Sequence, residues 1–184
     1  MRSIIVTGYA RSGTSYVASV LNHLGVNMGS KWRPADEANE AGYFENQELV
    51  IANQMVLEKN KTPDFKKIVK RHQTELWGAK DPRFLYTMKY WKKYLDNPII
   101  IIVLRNPVSI AKSVCFRDNG KYSPKKEFED VMNSIFEYYG RIPRLFCYPH
   151  FFYSFEDRPD RELAEFLNIE WKEHKLYQPN LKHF

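Results

Sequence analysis

Cysteine is scarce in this chain: Cys115 and Cys147 are the only two in 184 residues. They fall in different expected elements and lack metal-ligand spacing. A disulfide framework and a cysteine-based metal site are therefore not expected, and a reduced, cytoplasmic protein is. Long hydrophobic runs are missing as well. The most apolar stretch, residues 98–104, is far shorter than the ~20 residues a membrane span needs. The first strand is expected to begin almost at Met1, so no leader is expected before it. Internal repeats and low-complexity segments are absent. Acidic residues are the minority, 22 against 28 Lys and Arg, and the net charge of +6 favours anionic partners. A nucleic acid or a multiply phosphorylated nucleotide would both satisfy that field. The lysines at 66, 67, 70, 92, 93, 125 and 126 come mostly as pairs and read as solvated faces. They are scattered and do not form a basic stripe interleaved with aromatics, so no nucleic-acid partner is expected.

The length suits one domain, residues 1–184, with a real core. Aromatics reach 15%, with 12 Tyr and 12 Phe. Most are expected in the core, and a minority are candidates to line a pocket. Residues 3–7 (SIIVT) read as a buried strand, and residues 99–104 (IIIIVL) as the strongest one. Their apolar residues run without alternation, as a strand covered on both faces requires. Helices are expected over residues 16–24 with Gly25 as stop, 45–60, 65–74, 84–95, 107–116, 128–139 and 160–167. Shorter strands are expected over 76–79 and within 145–152. Residues 26–44 read as a long ordered loop, and 171–184 as a wrapping tail. Strands alternating with helices imply an α/β fold: three layers, α/β/α, around a central parallel sheet, similar to P-loop NTPases.

Between the first strand and first helix lies Gly8-Tyr9-Ala10-Arg11-Ser12-Gly13-Thr14-Ser15. A strand, a Gly-rich loop and a helix N-terminus in this order make an anion site. Loop and first-turn N–H groups lack intrahelical partners, and the helix dipole favours negative charge there. Gly8 and Gly13 permit close approach, Thr14 and Ser15 add hydroxyls, and Arg11 adds a fork of donors suited to phosphate. The spacing is that of the triphosphate loop G-x-x-x-x-G-K-[ST], but Thr14 stands where Lys should reach the β/γ-phosphates. Kinases and triphosphatases on such loops rely on that charge. In this chain the cation is inside the loop, at Arg11.

This segment, with its Arg-Ser-Gly-Thr core, resembles the 5′-phosphosulfate loop of sulfotransferases that use 3′-phosphoadenosine 5′-phosphosulfate (PAPS). In that family a basic residue at the place of Arg11 contacts the bridging and sulfuryl oxygens. The loop backbone, here Arg11, Ser12 and Gly13, holds the 5′-phosphate together with the hydroxyls matching Thr14 and Ser15. A second segment is similar to the family's 3′-phosphate site: Arg105 at the end of the buried strand and Ser113 eight residues later. Ser113 lies about two helical turns on, at 3.6 residues per turn, and can face the same side. Arg105 stands at the carboxyl end of a parallel strand, where ligands of open sheets bind. A weaker likeness, Tyr153-Ser154-Phe155-Glu156-Asp157 before a helix ending Phe166-Leu167, bears on fold more than on chemistry.

The resemblance implies PAPS as donor, adenosine 3′,5′-bisphosphate as product, no metal, and a small-molecule or glycan acceptor whose identity and any oligomeric state the residues do not tell. Sulfuryl transfer needs fixed cations and N–H donors on the transferring group and leaving phosphate. Arg11 is the first candidate and Lys80, in Ala79-Lys80-Asp81-Pro82-Arg83, the second; surface charge or a pair with Asp81 is the plainer reading of Lys80 and Arg83. For the base, neither His23 nor His72 sits in a matching context. Glu45, beside Phe44 at a loop-to-helix junction, is the candidate, with favouring of the helix N-terminus as its plainer role and Asp81 in reserve. The end of the tail, residues 179–184, is a candidate to lend cations to the nucleotide. Rival readings are a P-loop small-molecule or nucleoside kinase, and a non-catalytic nucleotide-binding protein.

Overall fold

The computed structural model of the chain describes residues 1–30, 44–58, 61–117 and 124–174. Its elements run β1 (Arg2–Gly8), α1 (Thr14–His23), α2 (Gln47–Glu58), α3 (Phe65–His72), β2 (Leu76–Lys80), α4 (Phe84–Trp91), β3 (Pro98–Leu104), α5 (Pro107–Arg117), α6 (Pro124–Arg141), β4 (His150–Ser154) and α7 (Asp160–Phe166). Among the described residues the strands form one sheet in the order β2-β1-β3-β4, every pairing parallel. The expected α/β architecture is thus observed.

The side-chain period of two divides the apolar strands between two cores. Ile5, Ala79, Ile100 and Ile102 face Leu49 and Val56 of α2, Phe65 of α3, and Phe84 and Trp91 of α4. Ile4, Val6, Ile101 and Val103 face Val17 and Leu21 of α1 and Leu163 of α7. Strands β1 and β3 read as unbroken apolar runs because both of their faces are covered. The pair α5 and α6 adds a smaller cluster around Ile110, Ala111 and Ile135.

Local signals explain most element ends. Helix α1 stops at Gly25, whose φ of 95° suits a residue without Cβ. The Gly25 N–H bonds the Asn22 carbonyl and the Val26 N–H the Leu21 carbonyl, the paired closure of a Schellman end. Asn106 Oδ1 accepts from the N–H groups of Val108 and Ser109, so Asn-Pro starts α5 with an N-cap and a first-turn proline. Asp64 caps α3 by accepting from the Lys67 N–H at 3.0 Å.

Several boundaries differ from the sequence expectation. Helix α1 begins two residues earlier than the periodic stripe, because polar Thr14 and Ser15 already belong to its first turn. Helix α2 starts at Gln47, since Asn46 and not Glu45 takes the cap, accepting from the Glu48 N–H at 3.0 Å. The stretch 84–95 tightens into a 3-10 turn at Lys92–Tyr94. Residues 142–145 form another 3-10 turn containing Pro143, so the last strand lies later, at His150–Ser154. Of the loop over 26–44, Val26 and Met28 are buried beside β2, and Asn27 exchanges backbone hydrogen bonds with Leu76 and Gly78. Residues 31–43 and the tail beyond 174 lie outside the described residues, as do the side chains of Lys125 and Lys126. Among the described residues no helix is long and apolar enough to cross a membrane.

Candidate functional site

The site forms where β1, β2 and β3 end. Gly8 leads from β1 into a loop, Ser12 N–H closes a turn on the Tyr9 carbonyl at 3.0 Å, and Thr14 opens α1. Gly13 occupies the N-cap with φ 97° and no side-chain cap. A Cβ there would lie 2.1 Å from the Phe155 ring. Only glycine suits both the left-handed backbone and that contact. The first-turn N–H groups face the same end of the sheet as the loop. Ser12 Oγ is buried within it and has no hydrogen-bond partner among the described residues.

Arg11 is also left-handed, at φ 71°, a conformation that an ordinary side chain holds only when its surroundings insist. Two residues remote in sequence supply the hold. Arg11 Nε donates to Ser113 Oγ at 2.9 Å, and Arg105 Nη1 donates to the Arg11 carbonyl at 3.0 Å. Arg105 in turn lies 5.0 Å from the centre of the Phe155 ring, a cation–π distance. The parallel register carries this out: β3 ends beside β1, so the residue after Leu104 meets the loop after Gly8. The structure therefore brings Arg11, Arg105 and Ser113 together on one flank.

Lys80 and Glu45 occupy the other flank. Lys80 ends β2, opposite Val6 of β1. Its ammonium donates to Glu45 Oε1 at 2.6 Å and to Ser15 Oγ at 3.3 Å. The Lys80 side chain is 3% exposed and that of Glu45 12%. Pairing is what permits two charges at that depth. Lys80 is thus buried against Glu45 and is not the surface charge of its plainer reading.

Asp81 is fully buried and engaged elsewhere. Its oxygens accept from Arg83 Nη1 at 3.0 and 3.1 Å, from the Arg83 N–H at 2.9 Å and from Asn53 Nδ2 at 3.0 Å. Burial pushes its carboxyl above the ordinary aspartate range, with the Arg83 guanidinium opposing. Arg83 thus follows its plainer reading. Of the histidines set aside by sequence, His72 is half-buried, not exposed: its Nε2 lies 2.7 Å from Glu48 Oε2. His23 packs against His174 with ring centres 5.7 Å apart. Lys66, Lys67, Lys70, Lys92 and Lys93 are exposed, as a solvated face requires.

Two contributors escaped the sequence reading. Phe155 sits in a segment read as bearing on fold, yet its ring covers Gly13 and Arg105. Asn53 lies mid-helix and gave no signal beyond polarity. Arranged in this way, the loop can hold an anionic group on backbone N–H and hydroxyl donors, and Arg105 and Ser113 on one flank offer donors for a second. Among the described residues no group of His, Cys, Asp and Glu is placed to hold a metal ion.

No protein-family model matches the chain, and no curated protein matches it by sequence. Its fold is similar to the solved "Sulfotransferase Domain from the Synechococcus PCC 7002 Olefin Synthase". The identity is 18% and the TM-score 0.49, over 94% of this chain and 74% of that one.

Proposed function

We propose that this chain is a metal-independent sulfotransferase that moves a sulfuryl group from PAPS to a hydroxyl or amine of a small-molecule or glycan acceptor, leaving adenosine 3′,5′-bisphosphate. The observation that carries the reading is the cluster of Arg11, Arg105 and Ser113 beside the loop. A donor phosphorylated at both the 5′ and 3′ positions needs a second set of phosphate donors, and ATP does not. The loop itself fits a 5′-phosphosulfate: among the described residues its helix N-terminus has no side-chain cap and Ser12 Oγ is a buried polar atom without a partner. Thr14 in place of the triphosphate lysine supports the same choice.

In this reading the donor supplies an activated sulfuryl group, and the protein supplies position and charge. The loop N–H groups with Thr14 and Ser15 hold the 5′-phosphate, and Arg105 and Ser113 the 3′-phosphate. Arg11 and Lys80 offset charge on the transferring group and leaving phosphate. Glu45, fixed by Lys80, is the base that takes the acceptor's proton. Asp81 does not suit that task, because all its bonds are internal and it has no surface.

Thermal unfolding with adenosine 3′,5′-bisphosphate or with ATP–Mg²⁺ tests the reading. The bisphosphate is expected to raise Tm without metal, and Arg11→Ala and Arg105→Ala to abolish the shift. Stabilisation by ATP–Mg²⁺ alone would sink it. Glu45→Gln is expected to keep the bisphosphate shift and lose turnover; undiminished turnover would remove Glu45 from the mechanism.

A further inference from the structure

Asn53 sits in the middle of α2 with no exposed surface. A buried amide in a helix interior needs partners for every donor and acceptor it withdraws from water. Here Nδ2 donates to Asp81 Oδ2 at 3.0 Å, while Oδ1 accepts from Thr87 Oγ1 at 2.7 Å and from Trp91 Nε1 at 2.8 Å. The indole can only donate, so chemistry fixes which end of the amide faces which partner. Asn53 therefore ties three elements at one point: α2, the residue after β2, and α4.

The same segments meet a second time. Asp81 is bonded to α2 at Asn53, and the adjacent Lys80 is bonded to Glu45 two residues before α2 begins. These are two rungs between α2 with its lead-in and the end of β2. Of the two, the Glu45–Lys80 rung reaches the loop, through the Lys80 bond to Ser15. Leu49 and Val56 pack α2 against the sheet and Glu48 joins it to α3, but apolar packing still lets a helix slide or roll by small amounts. A second, directional attachment near the helix centre removes that freedom.

We propose that Asn53 is a positioning residue, whose amide locks α2 onto Asp81 and thereby holds Glu45 and Lys80 in register beside the phosphate loop. The catalytic consequence rests on the sulfotransferase reading, whereas the geometric one stands without it. The isosteric change Asn53→Asp gives the proposal a distinctive signature. Its Oδ1 still accepts from Thr87 and Trp91, but the other oxygen faces Asp81 with no proton between them. Two carboxyls at that distance must share one proton. The charged and titratable groups around the pair are Arg83 on its own segment, adjacent Lys80, Glu45 ahead of α2, and the neutral Tyr138 hydroxyl from α6. At low pH the shared proton restores the bond. As pH rises and the proton leaves, repulsion pushes α2 off the strand end.

The test reads the rung directly. Lysines are labelled with an amine-reactive ester and quantified by mass spectrometry, with Lys80 expressed relative to exposed Lys66 in the same sample. In the wild type Lys80 is expected to label far more slowly than Lys66 at both about pH 6 and about pH 8. Asn53→Ala is expected to raise the ratio about tenfold at both pH values. Asn53→Asp should raise it only at the higher pH, and Thr87→Val, which keeps volume, by about threefold. Should Asn53→Ala fail to fold, the Asp and Val variants carry the test. A ratio unchanged from wild type in the folded variants overturns the proposal. In turnover assays kcat is expected to fall about tenfold with bisphosphate binding retained; loss of bisphosphate binding in parallel would instead mark Asn53 as merely structural. If wild-type protein is not stabilised by the bisphosphate, the sulfotransferase reading fails, and the labelling ratio still decides the role of Asn53.

Discussion

On the Lys80 flank of the loop an ammonium meets a carboxylate 2.6 Å away under almost complete cover, whereas on the Arg11 flank a half-buried guanidinium meets a hydroxyl at 2.9 Å. The first arrangement is bound up with folding. Without Lys80 the Glu45 carboxylate, only 12% exposed, would lose its cation in a place with little water. Among the described residues the second includes bonds to a hydroxyl and a carbonyl, which an anion's oxygens can join at little cost. One flank is built as a fixed part of the fold and the other as a receiving surface, so substitutions on the two should part stability from binding.

The largest effect is expected from Lys80→Met, which keeps the stem and strands the Glu45 carboxylate. Removing one partner of a buried pair costs about 3–5 kcal/mol, to be read as a lowered urea midpoint at unchanged slope. A loss under about 1 kcal/mol would mean that the pair behaves like a surface one, and the contrast between flanks would collapse. Gly13→Ala should follow, at about 2–3 kcal/mol, since it adds left-handed strain to a clash with the Phe155 ring. Pairing it with Phe155→Ala should relieve the clash and leave the strain.

Ser113→Ala sharpens the comparison from the other side. Its bond to Arg11 lies at the receiving surface, so stability should change by only about 1 kcal/mol. Affinity for adenosine 3′,5′-bisphosphate should drop about tenfold by calorimetry. The smallest effect concerns Tyr138, whose hydroxyl lies 2.9 Å from Thr7 Oγ1 and donates to the Pro82 carbonyl at 3.0 Å. Burial pushes this phenol well above the ordinary tyrosine range. A pKa raised by folding contributes stability that is present below the unfolded value, about 10, and lost as pH rises beyond it. Tyr138→Phe should therefore cost about 1 kcal/mol near neutrality and show a shallower loss of stability in alkali.

The parts of the fold that were legible in the sequence are those written in neighbouring residues. The unbroken apolar runs of β1 and β3, the Asn-Pro entry to α5 and the Gly25 stop each depend on a few consecutive side chains. The loop was legible for the same reason. Arg105 and Ser113 were found because strand end and helix turn place them by spacing. What stayed hidden depends on tertiary contact. Glu45 and Lys80 were each singled out, but nothing in either neighbourhood says that residues 35 positions apart form a pair. Asn53 looks like any polar residue on an amphipathic helix, and only the packing of α2 against β2 and α4 turns it inward. The strand expected within 145–152 was misplaced because Leu145 is apolar for the sake of a buried 3-10 turn, not a strand.

The strand order carries a consequence in time. β1 precedes the other three strands along the chain, yet it lies inside the sheet with β2 on one side and β3 on the other. Its backbone finds no strand partner until residues 76–80 have been synthesised, and its second edge stays open until residues 98–104 follow. Contacts so distant in sequence form slowly. The apolar residues of β1 must therefore wait, uncovered, until residue 104 has been made, and the anion-binding loop at its end can take shape only after that wait.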